Sequence, residues 1–292
     1  MRVRAVPKNT LRNIIKEKWI DHSRKAFTEG NIVWVPVRNN EPFDREIPRR
    51  IRYQGRGFFM LGDIAVIHGE KPDRREIEDI INFRHPRGML WIESLHKITR
   101  IPKTEVLWGD VGEVRHRENG YTYFLNPEKV MFAQGNRSEK MRIAQMVRRS
   151  NSAERVADMF AGIGYFTIPM AGSGAKVHAI EINPVAFEYL NRNIQENNMS
   201  DLVTTSLGDC RNQLYATYDR IIMGHFDAIS MLPSALSHVH KGSIIHIHSI
   251  GSVEDQIKMQ VDCAGFSAVI DVHKVKKYRP HVWHMVQDVT IS

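Results

Sequence analysis

The chain has 292 residues, 42% hydrophobic and 25% charged, with 41 Lys and Arg against 33 Asp and Glu and a formal net charge of +8. That balance excludes a mostly disordered chain, and the length suffices for two domains with full cores. No apolar run approaches the ~20 residues that cross a bilayer, and residues 1–8 are charged with no apolar stretch behind them. Cys210 and Cys263 are too few for a disulfide framework or a four-cysteine zinc site. A soluble cytoplasmic protein is expected.

The charge is unevenly placed. Residues 1–150 hold 30 Lys and Arg against 19 Asp and Glu, a net of +11, whereas residues 151–292 hold 11 against 14, a net of −3. A basic half beside a mildly acidic one suggests that the first meets a polyanion such as RNA; a solvated basic face gives the same count.

Residues 1–50 are polar and Arg-rich, read as helical at the start, and lose any pattern around Pro42 and Pro48. Residues 58–67 predict a strand pair or one bent strand, and residues 72–83 a helix with Ile77, Ile80 and Ile81 as its apolar stripe. Residues 114–125 predict a hairpin that turns at Asn119-Gly120, and residues 141–149 a helix.

From residue 154 the pattern becomes regular. A buried strand at 154–160 is followed by a glycine turn, a helical stretch at 165–171 and a second strand at 176–182. Pro184 opens a helix that runs towards Asn197 with Ala186, Phe187, Leu190 and Ile194 at helical spacing. Strands follow at 202–206, 218–223 and 243–248, with a short helix at 231–239 before the last. Repeated β-α units call for a parallel sheet with helices on both faces. Residues 266–275 and 282–291 are strands with no helix between them, hence antiparallel.

The expected fold class is therefore α/β. A parallel sheet with an antiparallel terminal hairpin resembles the Rossmann-like fold of class I AdoMet-dependent methyltransferases, here with a smaller α+β N-terminal RNA-binding region. The expected domains are residues 1–57, of uncertain role; 58–150, a basic middle domain that positions RNA; and 151–292, the catalytic domain.

The cofactor reading rests on three strand ends. Asp158-Met159-Phe160-Ala161-Gly162-Ile163-Gly164-Tyr165-Phe166 ends a strand, turns on two glycines and opens a helix, so a ligand can lie against bare backbone near a helix N-terminus. Dinucleotide enzymes use the same turn but want a third glycine at position 167, where this chain has Thr167. Glu181 closes the next strand, placed to accept from both ribose hydroxyls, or else acts as a surface helix-cap acid. Gly208-Asp209 follows the third strand, where an acid suits an adenine amino group. The candidate AdoMet contacts are Asp158, Phe160, Ala161, Gly162, Gly164, Tyr165, Phe166, Glu181, Ile182, Asn183, Asp209, Cys210, Met223 and Gly224. Tyr165 and Phe166 flank the adenosine or fill the core. His246 and His248 share one face of a strand, but no acid or cysteine stands at ligand spacing to them or to His178 and His284, and no metal is expected.

The segments 158–166, 181–183 and 124–139 resemble the family of archaeal and eukaryotic tRNA guanine-N1 methyltransferases and the wybutosine-synthesis aminocarboxypropyltransferases, over roughly residues 58–292. Methyltransferases of that family show Asn-Leu-Pro after strand four, where this chain has Met223-Gly224-His225-Phe226. They also show a Pro-Arg pair where Gln134-Gly135 stands, followed by an acid matched by Glu139. Both departures, and the tail from Lys277 to His284, resemble the archaeal aminocarboxypropyl branch.

That resemblance implies transfer of the 3-amino-3-carboxypropyl group of AdoMet to 4-demethylwyosine, next to the anticodon of tRNA(Phe), with methylthioadenosine released. Guanine-N1 methylation at the same position is the alternative. Glu139 and His225 are the candidate catalytic residues. Glu139 binds the methionine amino group, orients the base, or is a helix N-terminal acid; His225 contacts the methionine carboxylate or the base, or fills a polar pocket. Phe132 stacks a flipped base or packs in the core. Arg115, Arg117, Lys140, Arg142, Arg148 and Arg149 are candidate phosphate contacts for the anticodon stem-loop. A monomer is expected.

Overall fold

The computed structural model describes residues 1–48, 53–96, 100–150 and 152–292. It divides into two compact units, Met1–Gln54 and Gly55–Ser292.

In the first unit, β1 (Arg2–Pro7), the helical turn α1 (Leu11–Ile14), β2 (Phe27–Glu29), β3 (Ile32–Pro36) and β4 (Arg45–Glu46) build an antiparallel sheet of order β2-β3-β1-β4. The expected helical start is corrected to a strand. Val3 and Val6 are buried, and β1 exchanges main-chain hydrogen bonds with β3 and β4 instead of closing a helix on itself. Arg2 and Arg4 lie over the rings of Phe43 and Trp19.

The second unit opens with β5 (Phe59–Leu61) and β6 (Ile64–His68), an antiparallel pair turning at Gly62-Asp63. Helix α2 (Arg74–Arg84) then crosses to β7 (Gly88–His96), which runs parallel to β6, and β8 (Ile101–Gly109) returns antiparallel. α2 starts on a capping box, with Asp73 and Glu76 each accepting from the other's backbone amide. β9 (Val114–Glu118) and β10 (Tyr121–Leu125) form the expected hairpin, with Asn119 and Gly120 at φ +54° and +89°. A 3₁₀ turn at Gln134–Asn136 leads into α3 (Arg137–Arg149), which begins four residues earlier than its apolar pattern suggested.

The large sheet follows: β11 (Arg155–Asp158), α4 (Thr167–Ala171), β12 (Lys176–Glu181), α5 (Pro184–Glu196), β13 (Val203–Leu207), α6 (Cys210–Gln213), β14 (Arg220–Met223), α7 (Leu232–Leu236), β15 (Ile244–Ile250), α8 (Glu254–Cys263), β16 (Ala268–Arg279) and β17 (Val282–Ile291). Its order is β13-β12-β11-β14-β15-β17-β16, parallel through β15, with β17 antiparallel to both of its neighbours. This is the expected methyltransferase-like sheet. The order reverses between β11 and β14, where an open α/β sheet leaves a crevice at its carboxyl edge.

One core cluster runs from Leu61, Leu90 and Tyr123 of the smaller elements through Ile143 into Val156, Val177 and Ile222 of the large sheet. Ala157, Ile221, Met223 and Ile245 belong to the cluster on the opposite face, which is why these strands read as unbroken apolar runs. Residue 150 thus marks a change of sheet and not of core.

Two asparagines one turn apart, one on α5 and one at its C-cap, fasten β10. Asn193, wholly buried, accepts from the Phe124 amide at 2.7 Å and donates to the carbonyls of Phe124 and Ile163 at 3.2 and 3.0 Å. Asn197 accepts from the Thr122 amide at 3.0 Å and donates to its carbonyl at 2.7 Å. Their amides act as the missing neighbour strand for that edge.

Candidate active site

The turn after β11 is held from beneath. Asp158, fully buried, accepts from the Thr167 hydroxyl at 2.7 Å and the Phe160 amide at 3.4 Å, and burial pushes its carboxyl up to about 6. Gly162 and Gly164 sit at φ +57° and +103°; a Cβ on the first would lie 2.5 Å from the Tyr165 ring and on the second 2.7 Å from Ile168. The Gly162 amide donates to Glu181 at 2.7 Å, and the Asn183 amide donates to the other oxygen of the same carboxylate at 2.7 Å. Burial nonetheless raises the Glu181 carboxyl above the usual range.

These elements open onto a cavity of about 760 Å³. At one end it is lined by Phe160, Gly162, Glu181, Ile182, Asn183, Asp209, Cys210 and Arg211, with Tyr165 and Phe166 also in the wall. Asp209 caps α6 by accepting from the Arg211 amide and pairs with the Arg211 guanidinium at 3.0 Å, which holds its carboxyl below the ordinary value. Two carboxylates on neighbouring strand ends, both anchored and both bordering the cavity, suit the ribose and base of a nucleoside.

The wall after β14 is formed by Gly224, His225 and Phe226. A Cβ on Gly224 would meet nothing closer than the Phe166 ring at 3.6 Å, so the protein itself does not require a glycine there and bare backbone faces the cavity. His225 lies against the Phe160 ring, with centroids 5.5 Å apart. Its Nδ1 accepts from the Asp227 amide at 3.1 Å, and burial together with the Arg100 charge lowers its basicity. The neutral ring therefore carries its proton on Nε2, a buried donor without a partner among the described residues.

Beyond the candidate residues the cavity is also lined by Phe59 and His68 of the small sheet, Leu95 of β7, Arg100, Met131, and Lys276 and Tyr278 of β16. The strands at 58–67 and 266–275 were expected, whereas β7 and β8 were not. β7 and β8 escaped because their alternation is broken by register shifts at Met89/Leu90 and Ile92/Ser94. The available signals for these residues were the aromatic-basic tail and the segment 132–139, both matched on family resemblance without a role for Lys276.

The candidate residues divide clearly. Phe160, Gly162, Tyr165, Phe166, Glu181, Ile182, Asn183, Asp209, Cys210, Gly224, His225 and Phe132 all line the cavity. Asp158, Ala161, Gly164 and Met223 lie behind it: Asp158 fixes the turn, the Ala161 amide is spent on Ile180, Gly164 packs on Ile168, and Met223 is core. Phe132 presents an edge to Tyr165 and His116 at 5.6 and 4.7 Å, and is a core ring that reaches the cavity wall.

Glu139 does not line this cavity. It is buried and binds Arg142 at 2.6 Å, which also grips Asp288 at 2.6 Å; His246 continues the network to Arg220 and Glu154. It borders a separate recess with Ser138, His273 and Lys274. Lys140 is likewise no surface contact: its ammonium is buried against Glu118 at 2.8 Å, beneath Phe132 and Tyr165. Arg142 is consumed by the network, and Arg115 pairs with Glu196 at 3.0 Å. Arg117, Arg148 and Arg149 are exposed. No group of three potential metal ligands occurs among the described residues.

A family model described as the TRM5/TYW2 methyltransferase domain matches residues 114–277. The chain belongs to that family. A Methanocaldococcus jannaschii relative named tRNA(Phe) (4-demethylwyosine(37)-C(7)) aminocarboxypropyltransferase is 33% identical over 82% of this chain and 97% of its own length. The structure of M. jannaschii TYW2 in complex with AdoMet is 29% identical, with a TM-score of 0.63 over 81% of this chain and 99% of that one. Trm5b from Pyrococcus abyssi is 26% identical, with a TM-score of 0.72 over 99% of both chains. TRM5/TYW2 membership thus joins two activities, and the site must separate them.

Proposed function

We propose that the chain transfers the 3-amino-3-carboxypropyl group of AdoMet to C7 of 4-demethylwyosine at position 37 of tRNA(Phe) and releases methylthioadenosine. The observation that carries this reading is the cavity wall after β14, where Gly224 and His225 line the site, in a chain that matches nearly the full length of an aminocarboxypropyltransferase.

The residues present fit AdoMet. The Gly162 turn carries no side chain of its own beside the cavity, Glu181 keeps lone pairs beyond its two amide bonds, and Asp209 and Cys210 also line the cavity. AdoMet supplies three carbons on one sulfonium, and the carbon in line with the nucleophile is the one transferred as the carbon–sulfur pair returns to sulfur. The chain's own task is positioning. Glu181 orients the nucleoside end, the Gly224 backbone admits the amino-acid end, and the His225 Nε2–H donates to a ligand oxygen or nitrogen. Neutral and protonated on Nε2, His225 is a donor and not a base; the ring proton lost at C7 leaves to water.

On the RNA side, Arg117, Arg148 and Arg149 supply phosphate contacts for the anticodon stem-loop. The protein acts as a cytoplasmic monomer, and no described helix is long and apolar enough to cross a membrane.

The second reading is guanine-N1 methylation, favoured by the 99% coverage of both chains with Trm5b. Chromatography of the nucleoside by-product decides between them: methylthioadenosine supports aminocarboxypropyl transfer, and S-adenosylhomocysteine supports methylation.

A further inference from the structure

The three acids that line the cavity are Glu181, Asp209 and Asp227. Glu181 is held by two amides, Asp209 is paired with Arg211, and the Asp227 side chain is 86% exposed. The opposite end holds Lys276 and Arg100. Lys276 makes no ion pair or hydrogen bond among the described residues. Arg100 lies over the Phe226 ring at 5.0 Å, and among the described residues its only hydrogen bond is to the Met131 sulfur at 3.8 Å.

Burial lowers the basicity of both cations, and the Arg100 charge lowers that of Lys276 further. Lys276 in turn disfavours protonation of His68 and His284. Asp227, mostly exposed, favours the Arg100 charge, but no acid is paired with Lys276 among the described residues, and two half-buried neighbouring cations form an arrangement that a bound anion would relieve.

Gly135 makes room for it. The Lys276 side chain lies across the face of this glycine, where a Cβ would stand 2.9 Å from Cδ, 3.1 Å from Cε and closer still to Nζ. No positive φ demands a glycine at this position. Its lack of a side chain serves the lysine.

We propose that Lys276, seated over Gly135 and assisted by Arg100, forms an anion subsite that holds a carboxylate or phosphate at the end of the cavity away from Glu181. The carboxylate source is the amino-acid end of AdoMet, which rests on the function proposed above; the phosphate source is the RNA backbone at the acceptor nucleotide. Lys276 is a positioning residue in either case.

Calorimetry with AdoMet, decarboxylated AdoMet and methylthioadenosine, together with filter binding of tRNA, tests this on the full chain and its Lys276→Met, Lys276→Arg and Gly135→Ala variants. Gly135→Ala displaces only a flexible side-chain end, so it preserves folding while moving the lysine. If the carboxylate is the ligand, Lys276→Met and Gly135→Ala weaken AdoMet by about tenfold to a hundredfold, the range for a hydrogen bond to a charged group. Decarboxylated AdoMet and methylthioadenosine are then unaffected, and Lys276→Arg restores most of the loss. If a phosphate is the ligand, all three nucleosides bind as before, while tRNA affinity falls and its salt slope drops by about one. Unchanged binding of every ligand in Lys276→Met overturns the subsite. A wild-type chain that binds none of the nucleosides would instead contradict the proposed function, and the tRNA arm would still decide the subsite.

Discussion

The backbone amide of Gly162 donates to the Glu181 carboxylate at 2.7 Å, joining the glycine turn after β11 to the end of its neighbour β12 beside the switch point of the sheet. The bond fixes the carboxylate where it can accept from ribose hydroxyls. Glu181→Ala is expected to weaken AdoMet and methylthioadenosine equally, by about tenfold or more, because both carry the ribose. Affinity should also fall as pH falls, from higher pH than an ordinary glutamate would give, since burial raises this carboxyl and protonation removes its acceptors. Calorimetry across pH checks both; selective loss of AdoMet alone would place Glu181 elsewhere on the ligand.

Asp158 gives a stability signature of unusual sign. Its folded value is about 6 against 3.8 for the ordinary group, so the folded state binds the proton more tightly. The associated stability is present below 3.8 and lost as pH rises through about 6. On lowering the pH from 8 to 5, the wild type should gain about 1 kcal/mol relative to Asp158→Asn in denaturant unfolding. A relative loss in acid would mean that Asp158 is stabilised as the anion.

Lys140 and Arg148 separate structure from RNA contact. Lys140→Met strands the buried Glu118 charge and should cost about 3–5 kcal/mol, with part recovered in the Lys140→Met, Glu118→Gln double variant. Arg148→Ala and Arg149→Ala should leave unfolding unchanged and each lower the salt slope of tRNA binding by about one. A full-strength fold in Lys140→Met would refute the buried pair.

His225 should not impose an inflection above pH 6.5, because burial lowers its basicity and keeps it neutral there. Replacing it with Ala is expected to reduce kcat/KM without moving the pH profile in that range. An inflection near neutrality that vanishes in the variant would make His225 a titrating base.

The catalytic sheet was legible because its strands carry unbroken apolar runs and its functional turn is marked by glycines and an acid at three successive strand ends. The roles of single charges were not. Glu139 and Lys140 look alike in sequence as polar residues at a helix start; Glu118, distant in the chain, pairs with Lys140, and Arg142, one turn on, ties Glu139 to the distant Asp288. Lys276 shows the converse, a residue of an edge strand brought into the cavity by the absence of a side chain at Gly135. The N-terminal strand was misread because its polar, Arg-rich composition masked the valines it buries.

The most direct test uses two AdoMet samples, one labelled in the methyl group and one in the methionine carboxylate, each incubated with this protein and tRNA(Phe) bearing 4-demethylwyosine. Carboxylate label in the RNA, with methylthioadenosine released, is the predicted result. Methyl label in the RNA without carboxylate label would contradict the account and assign the chain to guanine methylation.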